Sequence, residues 1–172
     1  MWFADDATGC GPLTSLREWW DLLLEKGPHN GCYPSSVKTY LVVPPELVDA
    51  TSAMFAGTNI KITSHGRRHL GAAIGTPSFV EEYVSQKVTE WVAELDRLSQ
   101  IATCHPQAAY NTIVYGLRGK WLYLAWTLPD VADLFHPLEI ALRSRFIPAL
   151  TSGASPGRWS ALCYLCLLAL VV

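Results

Sequence analysis

Residues 78–98, SFVEEYVSQKVTEWVAELDRL, decide how the chain is read. Val80, Val84, Val88, Trp91, Val92, Leu95 and Leu98 recur at intervals of three and four with polar residues between them. That is the period of one apolar face on a helix of about six turns. Ser78, followed three positions later by Glu81, has the form of a capping box at its start. Downstream, His105-Pro106 interrupts the helix, because proline has no amide hydrogen and its ring crowds the preceding turn. A further helical stretch runs toward Leu128, and Pro129, Pro137 and Pro148 punctuate shorter segments. The pattern predicts an α-helical subdomain over residues 76–150.

Upstream the pattern is mixed. From Pro12, the residues Leu13, Leu16, Trp19, Trp20, Leu23 and Leu24 mark one helix face, Arg17, Glu18, Asp21 and Glu25 mark the other, and Gly27 supplies the stop. Trp19 and Trp20 read as helix packing. The loop GPHNGCYPSS (27–36) leads into VKTYLVV (37–43), whose β-branched and aromatic residues read as a buried strand that ends at Pro44-Pro45. A short helix from about Glu46 to Ala56 precedes Gly57, and NIKIT (59–63) and RHLGAAIG (68–75) then read as two strands around a turn at Ser64–Arg67. The fold class expected is therefore α+β, with strands and helices over residues 1–75 and helices after them.

Half of the 172 residues are hydrophobic, enough for a buried core and unlike a disordered tail. Thirteen Lys and Arg against fifteen Asp and Glu give a formal charge of −2, so there is no overall basic field, and any nucleic-acid contact must come from local patches. Five cysteines follow no repeating spacing, and acids at positions 5 and 6 interrupt any apolar leader. An intracellular protein, cytoplasmic or nuclear and not secreted, is expected. Cys163 and Cys166 have CxxC spacing but lie in an apolar run with no second pair, which favours buried thiols over a zinc site. Trp159–Val172 is uncharged for fourteen residues, short of the roughly twenty that span a bilayer, so membrane insertion is not expected.

Three short motifs stand in order along this frame. Phe3-Ala4-Asp5-Asp6 is followed by Gly31-Cys-Tyr-Pro-Ser-Ser-Val-Lys38-Thr39 and then by His69-Leu70-Gly71. Together they resemble the reverse transcriptases of retrotransposons: the aromatic-x-Asp-Asp signature of the palm hairpin, the lysine motif after it, and the primer grip. The resemblance covers about residues 1–150 and implies a truncated antiparallel palm remnant over 1–75, a helical thumb over 76–150, and an unrelated apolar tail over 151–172. By the same resemblance Asp5 and Asp6 are the catalytic, Mg²⁺-binding carboxylates, the hard oxygen ligands such an ion prefers. Lys38 becomes a proton donor to the departing pyrophosphate, a task for an ammonium close to developing phosphate charge. Phe3, which replaces the commoner tyrosine, packs near the primer end, and Leu70 and Gly71 let the backbone approach the primer strand. Arg67, Arg68 and Lys87 are the cations expected to touch the primer-template, weakly in so acidic a chain. His65 and His69 are four apart but flank Gly66-Arg67-Arg68, which reads as turn, so they are expected to face the surface or nucleic acid before any metal.

The resemblance also implies a third aspartate on a neighbouring palm strand, and fingers that hold the incoming deoxynucleotide. Only four residues precede Asp5, and Glu18, Asp21 and Asp49 fall in helical segments. Two carboxylates alone hold Mg²⁺ weakly and without defined geometry. The expectation is a reverse-transcriptase fragment that does not polymerise alone. Two other functions fit the composition: a non-enzymatic helical interaction protein, and a membrane-associated protein using its apolar tail.

Overall fold

The structure, a computed structural model, describes residues 2–3 and 6–151. It is α+β and mostly helical. The chain divides into two compact units. One is made of residues up to Arg67 with Ile74–Thr76, the other of Arg68–Ala73 with the chain from Pro77 onward.

In the first unit, β1 (Trp2–Phe3) and β2 (Asp6–Ala7) pair antiparallel, Trp2 opposite Ala7 and Phe3 opposite Asp6. Helix α1 (Leu13–Lys26) starts after Pro12, whose carbonyl accepts the Leu16 amide at 3.0 Å. It ends at Gly27, where a Cβ would sit 2.4 Å from the Leu23 carbonyl oxygen and 2.7 Å from that of Cys32. Only glycine fits so close a return of the chain. Of the expected apolar face, Trp20 is buried, while Leu24 stays exposed. Arg17, on the nominally polar face, donates to the Met54 carbonyl at 2.9 Å and lies over the buried Phe55 ring, which ties α1 to α2 (Val48–Met54).

Several local expectations need correction. VKTYLVV is not one buried strand: Ser36–Lys38 is a 3₁₀ turn, and β3 covers only Tyr40–Val42, half buried. The helix expected from Glu46 is a 3₁₀ turn, Pro45–Leu47, running into α2. RHLGAAIG is not one strand either. β4 (Lys61–Thr63) is followed by a bend at Ser64-His65, and β5 (Gly66–His69) then pairs with β6 (Ala72–Gly75) across Leu70-Gly71. The expected antiparallel order holds for β1 and β2 but not for β3 and β4. These two are parallel, Tyr40 opposite Lys61 and Val42 opposite Thr63, because α2 returns the chain between them as a crossover. The strands form three separate two-stranded sheets.

The second unit is built on α3 (Pro77–Ala102). It begins one residue before Ser78, which places that serine inside the first turn and not at the cap. Val84, Val88, Trp91, Leu95, Leu98 and Ala102 form its buried stripe. A second helical run packs there: α4 (Pro106–Thr112), a π-helical segment (Ile113–Leu117) and α5 (Arg118–Thr127). Along it Ala109, Ile113, Leu117 and Trp121 are buried at successive intervals of four. Each such step overshoots a 3.6-residue turn by about 40°. The wider π turn absorbs the excess and keeps all four in one core. The same device recurs in α6 (His136–Ala141), the π segment Leu142–Phe146 and α7 (Ile147–Leu150), where Leu138, Leu142 and Phe146 are buried four apart. No helix among the described residues is long and apolar enough to cross a membrane. The apolar tail, with Cys163 and Cys166, lies outside the described residues.

Leu95 is fully buried whereas Ile101, six residues on in the same helix, is half exposed. Leu95→Ala is expected to cost about 2–5 kcal/mol and Ile101→Ala no more than about 0.5 kcal/mol, read from urea unfolding followed by helical circular dichroism.

Candidate nucleic-acid interface

Phe3 and Asp6 face each other across the opening hairpin, with Ala4 and Asp5 as the two residues between the paired strands. Asp5 lies outside the described residues, and for Phe3 and Asp6 only the backbone placement is described. Lys38 ends the 3₁₀ turn and is exposed. Its amide donates to the Ser35 carbonyl at 3.1 Å, and the Thr39 hydroxyl donates to the same oxygen at 2.8 Å. These bonds close a turn in place of a strand ladder, the competition Ser and Thr offer to regular structure.

Arg67 is brought to residues that the sequence did not single out. Its guanidinium carbon lies 3.6 Å from the centre of the Tyr40 ring. Lys61, opposite Tyr40 on the parallel pair, donates to the phenol oxygen at 3.2 Å and lies 5.2 Å from the same ring centre. The Lys61 ammonium bonded to its oxygen, with the Arg67 charge added, holds the Tyr40 phenol below its ordinary value.

Arg68, Lys87 and the expected primer grip fall in the second unit. Lys87 is ion-paired with Glu90, one turn on in α3. The hydrogen bond from Lys87, with a smaller contribution from the Arg68 charge, lowers the Glu90 carboxyl. One of the three cations expected to meet phosphate, Lys87, is thus paired with a carboxylate.

Leu70 and Gly71 form the tip of the β5–β6 hairpin with φ of 48° and 87°. Positive φ at both central residues is the geometry of a tight hairpin turn, and it is strained for leucine. Two phenols hold it: Tyr83 of α3 donates to the Gly71 carbonyl at 2.8 Å, and Tyr123 of α5 donates to the Leu70 carbonyl at 2.6 Å. A Cβ on Gly71 would stand 3.4 Å from the Tyr123 ring, so the close approach that this glycine permits is made by a tyrosine of the same unit. Tyr83 and Tyr123 were missed because no local pattern marks partners 12 and 53 residues away.

Among the described residues no group of three His, Cys, Asp or Glu is placed to hold a metal ion; Asp5 is outside that set. Cys10, Cys32 and Cys104 are free thiols. His69 lies in β5 and His65 in the preceding bend, not on one helix face. Comparison with protein-family models, curated proteins and solved structures finds no match to the chain.

Tyr83→Phe and Tyr123→Phe are each expected to lower stability by about 0.5–1.5 kcal/mol, with faster amide hydrogen exchange confined to the hairpin. In ¹³C-tyrosine spectra the Tyr40 phenolate is expected to form at lower pH than an ordinary tyrosine, whose pKa is about 10. Lys61→Met should move that midpoint upward more than Arg67→Met does. Because the folded value is the depressed one, the unfolded chain binds the extra proton in this window. The stability that Tyr40 ionisation adds is therefore absent below the folded midpoint and complete above the unfolded one.

Proposed function

We propose that the chain is a piece of a retrotransposon-type reverse transcriptase, an RNA-directed DNA polymerase, carrying part of the palm and a helical thumb. The observation that carries this reading is the opening hairpin. Phe3 pairs with Asp6 across antiparallel strands, so the first and last residues of the aromatic-x-Asp-Asp run are strand partners, as a hairpin signature requires. The order of the later elements adds support: a helix, the turn ending at Lys38, the tight hairpin at Leu70-Gly71, and a unit built on one long helix. Leu22, Leu24, Tyr33 and Val37 stand 46–77% exposed, apolar surface suited to the remainder of a polymerase.

In this reading the partners are a primer-template and deoxynucleotides, and the compartment is intracellular. Asp5 and Asp6 have the hard oxygen donors that Mg²⁺ takes, but two adjacent carboxylates fall short of the set that fixes a pair of ions in line with a transferring phosphate. Among the described residues Glu18 and Asp21 are on α1 and Asp49 is on α2, not on strands beside the hairpin. The chain alone is therefore assigned no polymerisation step. A second reading, a helical module that binds another protein, is favoured by Trp126 and Tyr115, which are 77% and 84% exposed on the second helical run.

The 172-residue chain is expected to extend no primer with Mg²⁺ or Mn²⁺. Joined to the palm and fingers of an intact retrotransposon enzyme, it is expected to support extension that Asp5→Asn reduces to background and Glu18→Gln leaves within about twofold, since surface changes away from a site cost little. Equal losses in the two variants would remove the hairpin from the reading.

A further inference from the structure

We propose that Tyr40, Lys61 and Arg67 form a clamp for the phosphates of a nucleic-acid backbone, binding without regard to base sequence. The choice of nucleic acid as the polyanion rests on the polymerase reading; the clamp itself rests on how the chain places its cations.

Arg17, Lys26, Lys87, Arg143 and Arg145 each pair with a carboxylate. Lys61 and Arg67 make no carboxylate pair among the described residues, and both are exposed. What holds them is one phenol ring, with the guanidinium carbon at 3.6 Å from its centre and the ammonium at 5.2 Å. The parallel register sets this up, because Tyr40 and Lys61 are direct partners and share a sheet face. A guanidinium stacked on a ring keeps several N–H donors and loses less freedom on binding than a swinging side chain. Two fixed charges with unused donors suit phosphate oxygens.

The ring itself argues for backbone and against base. Arg67 already lies against one face of Tyr40, which leaves that face no room for stacking a nucleotide. Contacts of this kind set position and affinity but carry no sequence information. The cationic set changes accordingly: Lys61 joins Arg67, while Lys87 falls away because Glu90 holds it.

The test is fluorescence anisotropy of short labelled RNA·DNA hybrids of two unrelated sequences, titrated with the full chain over a series of NaCl concentrations. Lys61→Met and Arg67→Met are each expected to weaken binding of both hybrids alike and to flatten the slope of log K against log salt by about 0.9. Tyr40→Leu keeps both charges but removes the ring, so affinity should fall about two- to fivefold with the slope unchanged. Arg143→Met, which removes a cation already paired with Glu139, is the control and should change neither quantity. Unchanged slopes in the first two variants, with native circular dichroism, would overturn the clamp. So would a loss in Arg143→Met equal to theirs. Binding to phosphatidylserine vesicles that depends on Lys61 and Arg67, while hybrid binding does not, would assign the patch to lipid and overturn it as well. Primer extension by the joined polymerase separates the two proposals: insensitivity to Asp5→Asn sinks the polymerase reading and leaves the clamp, whereas unchanged salt slopes do the reverse.

Discussion

Everything in the helical unit depends on the phase of one apolar stripe. On α3 the buried residues alternate three and four apart, so the stripe runs nearly straight from Val84 to Ala102 without any departure from α-helical geometry. The runs that pack with it bury residues four apart, and they meet it only because each winds wider for five residues. Ile113 and Phe146, both wholly buried, lie within those wider turns. Uniform α-helix there would rotate Trp121 and the residues after it out of the core. The π segments are thus a consequence of sequence spacing meeting a fixed partner.

What the sequence made legible reflects the range of the forces involved. The α3 stripe and the helix after Pro12 are local patterns, and both elements form as the spacing implies. Lys38 was misplaced because a β-branched run hides the bonds that Ser35 offers to Lys38 and Thr39. Strand composition did not show the break in RHLGAAIG, because Leu-Gly is not the usual pair for a turn with two positive φ values; only the primer-grip resemblance put a hairpin at Leu70-Gly71. Its stability comes from tyrosines far along the chain. The parallel pairing of β3 and β4 was likewise invisible, since strand composition does not reveal orientation. Of the candidate site, the order of the motifs could be read, but not which cations end up near a carboxylate.

Pairing decides how charge is used in a slightly acidic chain. Thirteen basic side chains are not equivalent when five of those described are paired with an acid. Lys87 looks as basic as Arg67 in the sequence, yet Glu90 pairs with it, whereas an uncharged phenol holds Arg67. Local potential is set by the neighbour more than by the count.

Leu70 and Gly71 belong with the helical unit through two phenols, although the strands that carry them begin and end in the other unit. The boundary is therefore interleaved: the backbone passes from one unit to the other at Arg67, returns at Ala73, and leaves for good at Thr76. No single cut yields two whole pieces. A cut at the start of the long helix would take Tyr83 and Tyr123 away from the turn they hold, so a piece meant to keep the helical unit intact has to begin before the hairpin.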